Sequence, residues 1–520
     1  MTRRVLLLLT LVSALLFTAN PAHAQAAPKA KKPTAVKGNA AEPSPALQEA
    51  AIEAHRKQLL SKIKTPPLSP FHPQLPKRIE LPNGMIVFLQ EDHELPLIDG
   101  SITIRGGSRL EPAAKVGLVA VFGQVWRTGG TRTRTGDQLD DFLEARAAKV
   151  ETGGRMDATT VGWSSLKNDF NDVFDVVLEL LREPEFRSEK VLLAKQQIAT
   201  GISRRNDDPA GIARREAVKL AYGADSPFAR TVEYATLDAV TRQDLLDWHQ
   251  RFVHPNNMIL GVTGDFDPAT MEAKLREAFA SMPKGPAVEK NLNTPIHPAK
   301  PGIYFVNKED VNQTNIRMVD LGIRRDNPDY FAVEVMNEVL GGGFSSRLIQ
   351  SIRTKQGLAY SVGGGIGSAY DHPGIAALGM GTKSETTVKS IAALNAELDK
   401  MLNEPVTGAE LKRSKDAILN SFVFEFDSKD KVLSERMTYE FYGYPADFLE
   451  RYRAGVEKTT AADVDRVAKK YLHRDQMRTL VVGNQAEFDK PLSTLGPVTP
   501  IDITIPGSPP GASASAGGDR

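Results

Sequence analysis

Residues 241–266 read TRQDLLDWHQRFVHPNNMILGVTGDF, and residues 460–485 read TAADVDRVAKKYLHRDQMRTLVVGNQ. At a constant offset of 219 residues (463 − 244), Asp244 meets Asp463, Phe252 meets Tyr471, His254 meets His473, Met258 meets Met477 and Gly264 meets Gly483. Each copy spells an N-capped amphipathic helix, a polar turn and an apolar strand ending in glycine. Upstream, Tyr222-Gly223 answers Tyr442-Gly443. A match of this length at one fixed period implies a duplicated domain of about 220 residues.

Outward from the repeat, each half mixes strands and helices. Met85–Gln90 and Asp99–Arg105 alternate as strands do, separated by a turn containing proline, whereas Asn171–Leu181 and Val191–Arg204 carry helical spacing. Without strict βαβ alternation this predicts an α+β fold of two homologous domains. Their expected bounds are 76–285 and 301–490. The polar stretch Pro283–Pro301 holds five prolines and marks a linker at 286–300. Residues 25–75, rich in Ala, Lys and Pro, read as a flexible leader with one helix from Ala46 to Lys62. Residues 491–520 read as a disordered tail, on the strength of their Pro, Gly and Ser content.

The N-terminus supplies an address. Arg3 and Arg4 precede an apolar run from Val5 to Phe17, and Ala22-His23-Ala24 offers small residues where a signal peptidase reads. This predicts a cleaved signal peptide at 1–24, export to a periplasm and no stable membrane span afterwards. The chain has no cysteine, which excludes a lipoprotein anchor, disulfides and thiolate chemistry. With 65 basic against 64 acidic residues there is no nucleic-acid footprint. No G-x-S-x-G elbow or P-loop is present, and Gly341-Gly342-Gly343 lacks the Lys-Ser/Thr of a phosphate cradle. The nine histidines form no cluster at metal-ligand spacing. His254 and His473 read as turn residues of the repeated unit.

The run LPNGMIVFLQEDHELPLIDGSITIRGGSRLEPAAKVGL, residues 81–118, resembles the opening of the insulinase/pitrilysin peptidases. In that family the segment leads into H-x-x-E-H on a helix, where two His one turn apart bind zinc and the Glu activates the bound water. The corresponding positions here are Ala120, Gly123 and Gln124. The family's third ligand, a Glu roughly 75 residues further on, precedes a turn that here reads Asp207-Asp208-Pro209, and residues 191–206 hold no carboxylate. The resemblance therefore implies a chain that binds no zinc of its own.

A second stretch, GGGFSSRLIQSIRTKQGLAYSVGGG at 341–365, resembles the family's C-terminal-domain motif, known by an Arg and a Tyr seven residues apart. Here these are Arg353 and Tyr360, for which the resemblance implies contact with substrate backbone or oxyanion, as suits a guanidinium fork and a phenol. Ser345, Ser346 and Arg347 read as residues that cap and begin the helix. The family's fold closes two such domains around a central cavity. Some members work as heterodimers, one subunit carrying zinc and the other the Arg/Tyr pair. The expectation is a peptide-binding pseudopeptidase that complements a zinc-bearing homologous partner. The alternatives are a non-enzymatic scaffold subunit and, with least support, a self-sufficient hydrolase.

Overall fold

The computed structural model describes residues 45–62, 73–289 and 294–507. The signal peptide expected at 1–24, the first part of the leader and residues 508–520 lie outside the described residues. The chain divides into two units at residues 69 and 70. Among the described residues the first contributes one helix, Pro45–Lys62. The second begins at Pro70 and carries both sheets.

That unit is built on two mixed sheets. In the first half the strands are β1 (Lys77–Glu80), β2 (Ile86–Glu91), β3 (Leu97–Arg105), β4 (Lys149–Gly154), β5 (Ala158–Leu166) and β6 (Met258–Gly264), laid side by side as β1-β2-β6-β3-β5-β4. In the second they are β7 (Gly302–Asn307), β8 (Gln313–Leu321), β9 (Ile323–Arg324), β10 (Ala359–Ala369), β11 (Pro373–Lys383), β12 (Arg478–Gly483) and β13 (Val498–Pro500), ordered β13-β7-β12-β8-β11-β10-β9. The central five strands correspond one to one: β2-β6-β3-β5-β4 against β7-β12-β8-β11-β10. In both sheets the first pair is parallel and the next three are antiparallel. The repeated stretches occupy equivalent places. Thr241 and Thr460 cap the helices Arg242–Phe252 and Ala461–Tyr471 through matching capping boxes with Asp244 and Asp463. The strands that follow, β6 and β12, are buried along their whole length and lie second from the parallel side.

The halves are not separate beads. The helix Pro209–Tyr222, from the first half, lays Ile212, Ala213, Ala217, Leu220 and Ala221 on Val306, Val319, Leu480 and Val482 of the second sheet. The helix Lys429–Tyr442, from the second half, lays Leu433, Met437 and Phe441 on Phe88 and Ile259 of the first. The two helices start 220 residues apart (429 − 209) and end on the repeated Tyr-Gly pairs. The duplicated domains have thus exchanged equivalent helices. Since each buried Leu, Met or Phe contributes roughly 1.5–3 kcal/mol, the exchange locks the halves together.

The described residues of the linker, 286–289 and 294–300, do not hang free: His297 N–H donates to Tyr222 O at 2.9 Å, Ala299 N–H to Leu220 O at 2.9 Å, and Asn257 holds Pro286 and Val288. These backbone groups find partners along the exchanged helix and the first domain. Nor is 491–507 a disordered tail. β13 pairs in parallel with β7, Ile501 N–H donates to Phe305 O at 2.8 Å, and Ile503 and Ile505 pack on buried clusters. The alternating isoleucines, not the prolines, decide its conformation.

Candidate functional site

The helix Leu118–Thr128 is apolar on nearly every side: Leu118, Val119, Val121, Phe122, Gly123, Val125 and Trp126 are buried. Ala120 and Gln124 are its exposed residues, four apart and therefore on one face. That face meets the helix Ser188–Ser203, where the Gln124 side-chain amide donates to the Gln197 side-chain carbonyl, 73 residues on. Gln197 thus lies beside Gln124 at about the spacing where the family resemblance places the distant third ligand. Sequence reasoning missed it because a glutamine in a helix carries no chemical signature, and only its spacing from Gln124 pointed there.

Gly123 sits where the family's base would be, and its surroundings leave no room for one. A Cβ at Gly123 would come within 2.2 Å of Gly154 N on edge strand β4. The close approach is fastened by Thr152, whose hydroxyl donates to Gly123 O at 2.6 Å and accepts from Arg127 N–H at 3.2 Å. These residues do not fit zinc: a methyl group, a bare backbone and two neutral amides offer neither imidazole nor carboxylate. Among the described residues, no group of three or more His, Cys, Asp or Glu is placed to hold a metal ion.

Arg353 and Tyr360 are built differently. Arg353 lies in a wide helical turn, Ile349–Lys355, closed by Gln356 N–H donating to Ser351 O at 3.0 Å. Such i→i+5 turns are rare in regular helices and recur at functional sites. Gly357 then takes φ +63°, and β10 begins two residues later. The chain reversal puts the Arg353 guanidinium carbon 5.3 Å from the centre of the Tyr360 ring and 5.5 Å from that of Phe344. Tyr360 is 86% exposed and Phe344 76%. No described residue forms a hydrogen bond or ion pair with Arg353. Phe344 was not singled out by its sequence, although it stands inside the glycine-rich motif.

Neighbouring Arg347 shows the contrast. Its Nε lies 2.8 Å from Glu410 Oε1, and Nη2 donates to Glu410 Oε2 at 3.1 Å. Burial works to raise the Glu410 carboxyl, but hydrogen bonds from Arg347 and Thr407 outweigh it and hold the group at about 2. Arg347 is anchored; Arg353 is presented.

Between the halves lies a cavity of about 750 Å³, walled by Glu151 and Gly154 of β4, Thr160 and Val161 of β5, Arg155 in the turn between them, and Ser434, Met437 and Tyr442 of the exchanged helix. Ala120, Gly123, Gln124, Arg353 and Tyr360 are not among its lining residues. The structure therefore holds two separate features: a helix face of Ala120 and Gln124 without a metal ligand, and an exposed cation framed by aromatic rings.

Residues 87–232 match the family described as Insulinase (Peptidase family M16), and residues 239–418 match Peptidase M16 inactive domain. The non-peptidase homolog YmxG of Helicobacter pylori is 24% identical over 405 residues, covering 77% of this chain and 92% of the relative. An uncharacterized zinc protease of Rickettsia felis is 25% identical over 358 residues, covering 66% of this chain and 82% of the relative. Among solved structures, the peptidase M16 inactive domain from Pseudomonas fluorescens superposes with TM-score 0.70 at 24% identity, covering 79% of this chain and 98% of that one. A protease from Helicobacter pylori gives TM-score 0.69 at 19% identity, covering 79% and 100%. The chain belongs to the insulinase family of M16 peptidases, as a member without an H-x-x-E-H motif anywhere in its sequence.

Proposed function

We propose that this chain is a periplasmic, catalytically incomplete peptidase subunit that binds peptide and complements a zinc-bearing homologous partner. The observation that carries the reading is Arg353. A guanidinium with no hydrogen-bond or ion-pair partner among the described residues, held beside two exposed rings, is free to fork onto a carboxylate or backbone carbonyl of a bound chain. Tyr360 stands beside it with a phenol that can donate to the same group. In this reading the partner supplies zinc, the nucleophilic water and the general base, while Arg353 and Tyr360 bind and polarise the peptide.

Affinity purification of the tagged mature chain from its native periplasm tests this. The expected result is a near-stoichiometric partner bearing H-x-x-E-H. Turnover by the complex should fall in Arg353→Ala, with the partner's zinc content unchanged. Normal turnover in that variant would remove the assigned role.

A second reading, a non-enzymatic scaffold subunit, draws on the Gln124–Gln197 pair. Two neutral amides satisfying each other are a stable end state with no chemistry to perform, and the Helicobacter pylori relative is named a non-peptidase homolog. This reading predicts assembly that survives loss of both Arg353 and Tyr360.

A further inference from the structure

Apart from the features above, the second half encloses a cavity of about 630 Å³ among the helices Tyr330–Asn337, Gly408–Phe422, Lys429–Tyr442 and Phe448–Lys458. The size falls within the range of small-molecule sites, about 300–1,000 Å³. Its wall is aromatic. Phe422 and Tyr452 stack with ring centres 5.8 Å apart and planes 8° from parallel, Tyr330 lies 5.9 Å from Tyr452, and Tyr439 meets Phe448 edge-on at 5.3 Å. Aromatic faces carry negative potential and attract cations.

The polar groups on this wall are unbalanced. Glu334, Glu338, Glu425 and Glu435 line it, against one cation, Arg325. Arg325 is already committed: Nη1 donates to Tyr370 OH at 2.7 Å, and its guanidinium carbon lies 4.2 Å above the centre of the Tyr370 ring. No described residue donates a hydrogen bond to Glu334 or Glu338. Burial pushes both carboxyls up from their ordinary range, with Arg325 opposing it at Glu334. Both carboxylates are half-buried, beside aromatic faces that shield them in part, so a cation entering the cavity meets them with less competition from water than at an open surface. The carboxylates do not converge as metal ligands do. A wall of carboxylates beside aromatic rings suits a cation with an apolar body.

We infer that this cavity is a binding site for a small organic cation, an amine or guanidinium-type group carried on an apolar body. Its charged end pairs with Glu334 and Glu338, and its body lies against Tyr330, Phe422 and Tyr452. The site is independent of the Arg353 surface and of the proposed partner.

Titration calorimetry on the mature chain tests it with two isosteres: benzamidine, an aromatic cation, and benzamide, its neutral counterpart. Benzamidine is expected to bind at least about tenfold more tightly than benzamide, as a charge-assisted pair in a shielded site gives. Glu334→Gln should weaken benzamidine by about tenfold or more at an unchanged melting temperature. Should that variant fail to fold, Glu338→Gln, at the second assigned carboxylate, should weaken it severalfold. Arg353→Ala should leave benzamidine binding as it is while acting on turnover of the complex, which separates this inference from the proposed function. Equal affinity for the two isosteres, no binding of either, or benzamidine binding indifferent to the loss of the carboxylates would each overturn the assignment.

Discussion

Arg109 Nη2 lies 2.7 Å from Asp371 Oδ2, joining the turn after β3 in the first half to the β10–β11 turn in the second, with the two side chains 6% and 7% exposed. Around this pair, Arg109 also meets Asp157 at 3.1 Å, Tyr442 OH donates to Asp157 at 2.8 Å, and His372 Nδ1 lies 2.7 Å from the other Asp371 oxygen. His372 in turn stacks on Phe228, ring centres 4.0 Å apart. A buried ion pair broken on one side leaves an uncompensated charge, a loss of about 3–5 kcal/mol. Arg109→Ala should lower unfolding stability by that amount, measured by urea denaturation.

The same pair sets an acid limb. Burial works to raise the Asp371 carboxyl, but hydrogen bonds from His372 and Arg109 outweigh it and hold the group at about 2. An unfolded Asp titrates near about 3.9. The folded state therefore gains stability that is fully present above about pH 4 and is lost as pH falls through about 2. Stability measured across that window should fall less steeply in Asp371→Asn than in the parent chain.

How far the sequence could be read depended on whether a pattern named its own partner. The capping boxes at Thr241 and Thr460, and the buried strands after them, are local, so a fixed offset revealed both copies. The helices Pro209–Tyr222 and Lys429–Tyr442 show an apolar face too, but such a face does not say which sheet it covers, and the exchange between halves was invisible. Gln197 carried no chemical signal. Ile501, Ile503 and Ile505 alternate as a strand does, but their signal is short and flanked by Pro, Gly and Ser, which by composition point to a tail. The candidate site divided the same way: positions 120, 123, 124, 353 and 360 were legible by resemblance, whereas the closure of Gly123 on β4 depends on backbone distances no sequence pattern encodes.

That closure gives a prediction with opposite outcomes on one helix. Gly123→Ala places a methyl group against Gly154 backbone, which cannot yield as a flexible side chain would. It should destabilise the protein by about 1–3 kcal/mol. Ala120→His, on the exposed face, should stay within about 0.5 kcal/mol of the parent. Thermal melts of the two variants side by side check the pair, and equal melting temperatures would show that β4 moves away freely.

Arg353→Ala and Tyr360→Ala should each leave stability within about 0.5 kcal/mol of the parent, because Tyr360 is 86% exposed and Arg353 has no hydrogen bond or ion pair among the described residues to lose. Arg347→Ala, six residues before Arg353, should instead cost about 2 kcal/mol or more by stranding Glu410. Denaturant midpoints for the three variants separate a presented arginine from an anchored one. A large stability loss at Arg353 would mark it as structural.

The C-terminal segment supplies the last prediction. β13 completes the edge of the second sheet beside β7, and Asn206, on the loop before the exchanged helix, donates to Ile503 O at 2.7 Å. Ile501 and Ile503 pack with the cluster that seats the helix Pro209–Tyr222, and Ile505 packs against the core of the first half. Removing residues 497–520 would uncover the β7 edge and strip partly buried apolar surface from both halves. At partial burial of Val498 and three isoleucines, the loss should be roughly 2–4 kcal/mol. Removing only 508–520 takes away none of these contacts. Hydrogen exchange should then show faster exchange in β7 and in the helix Pro209–Tyr222 for the longer truncation alone. Protection unchanged in that helix would mean that the segment rests on the sheet without holding the exchanged element in place.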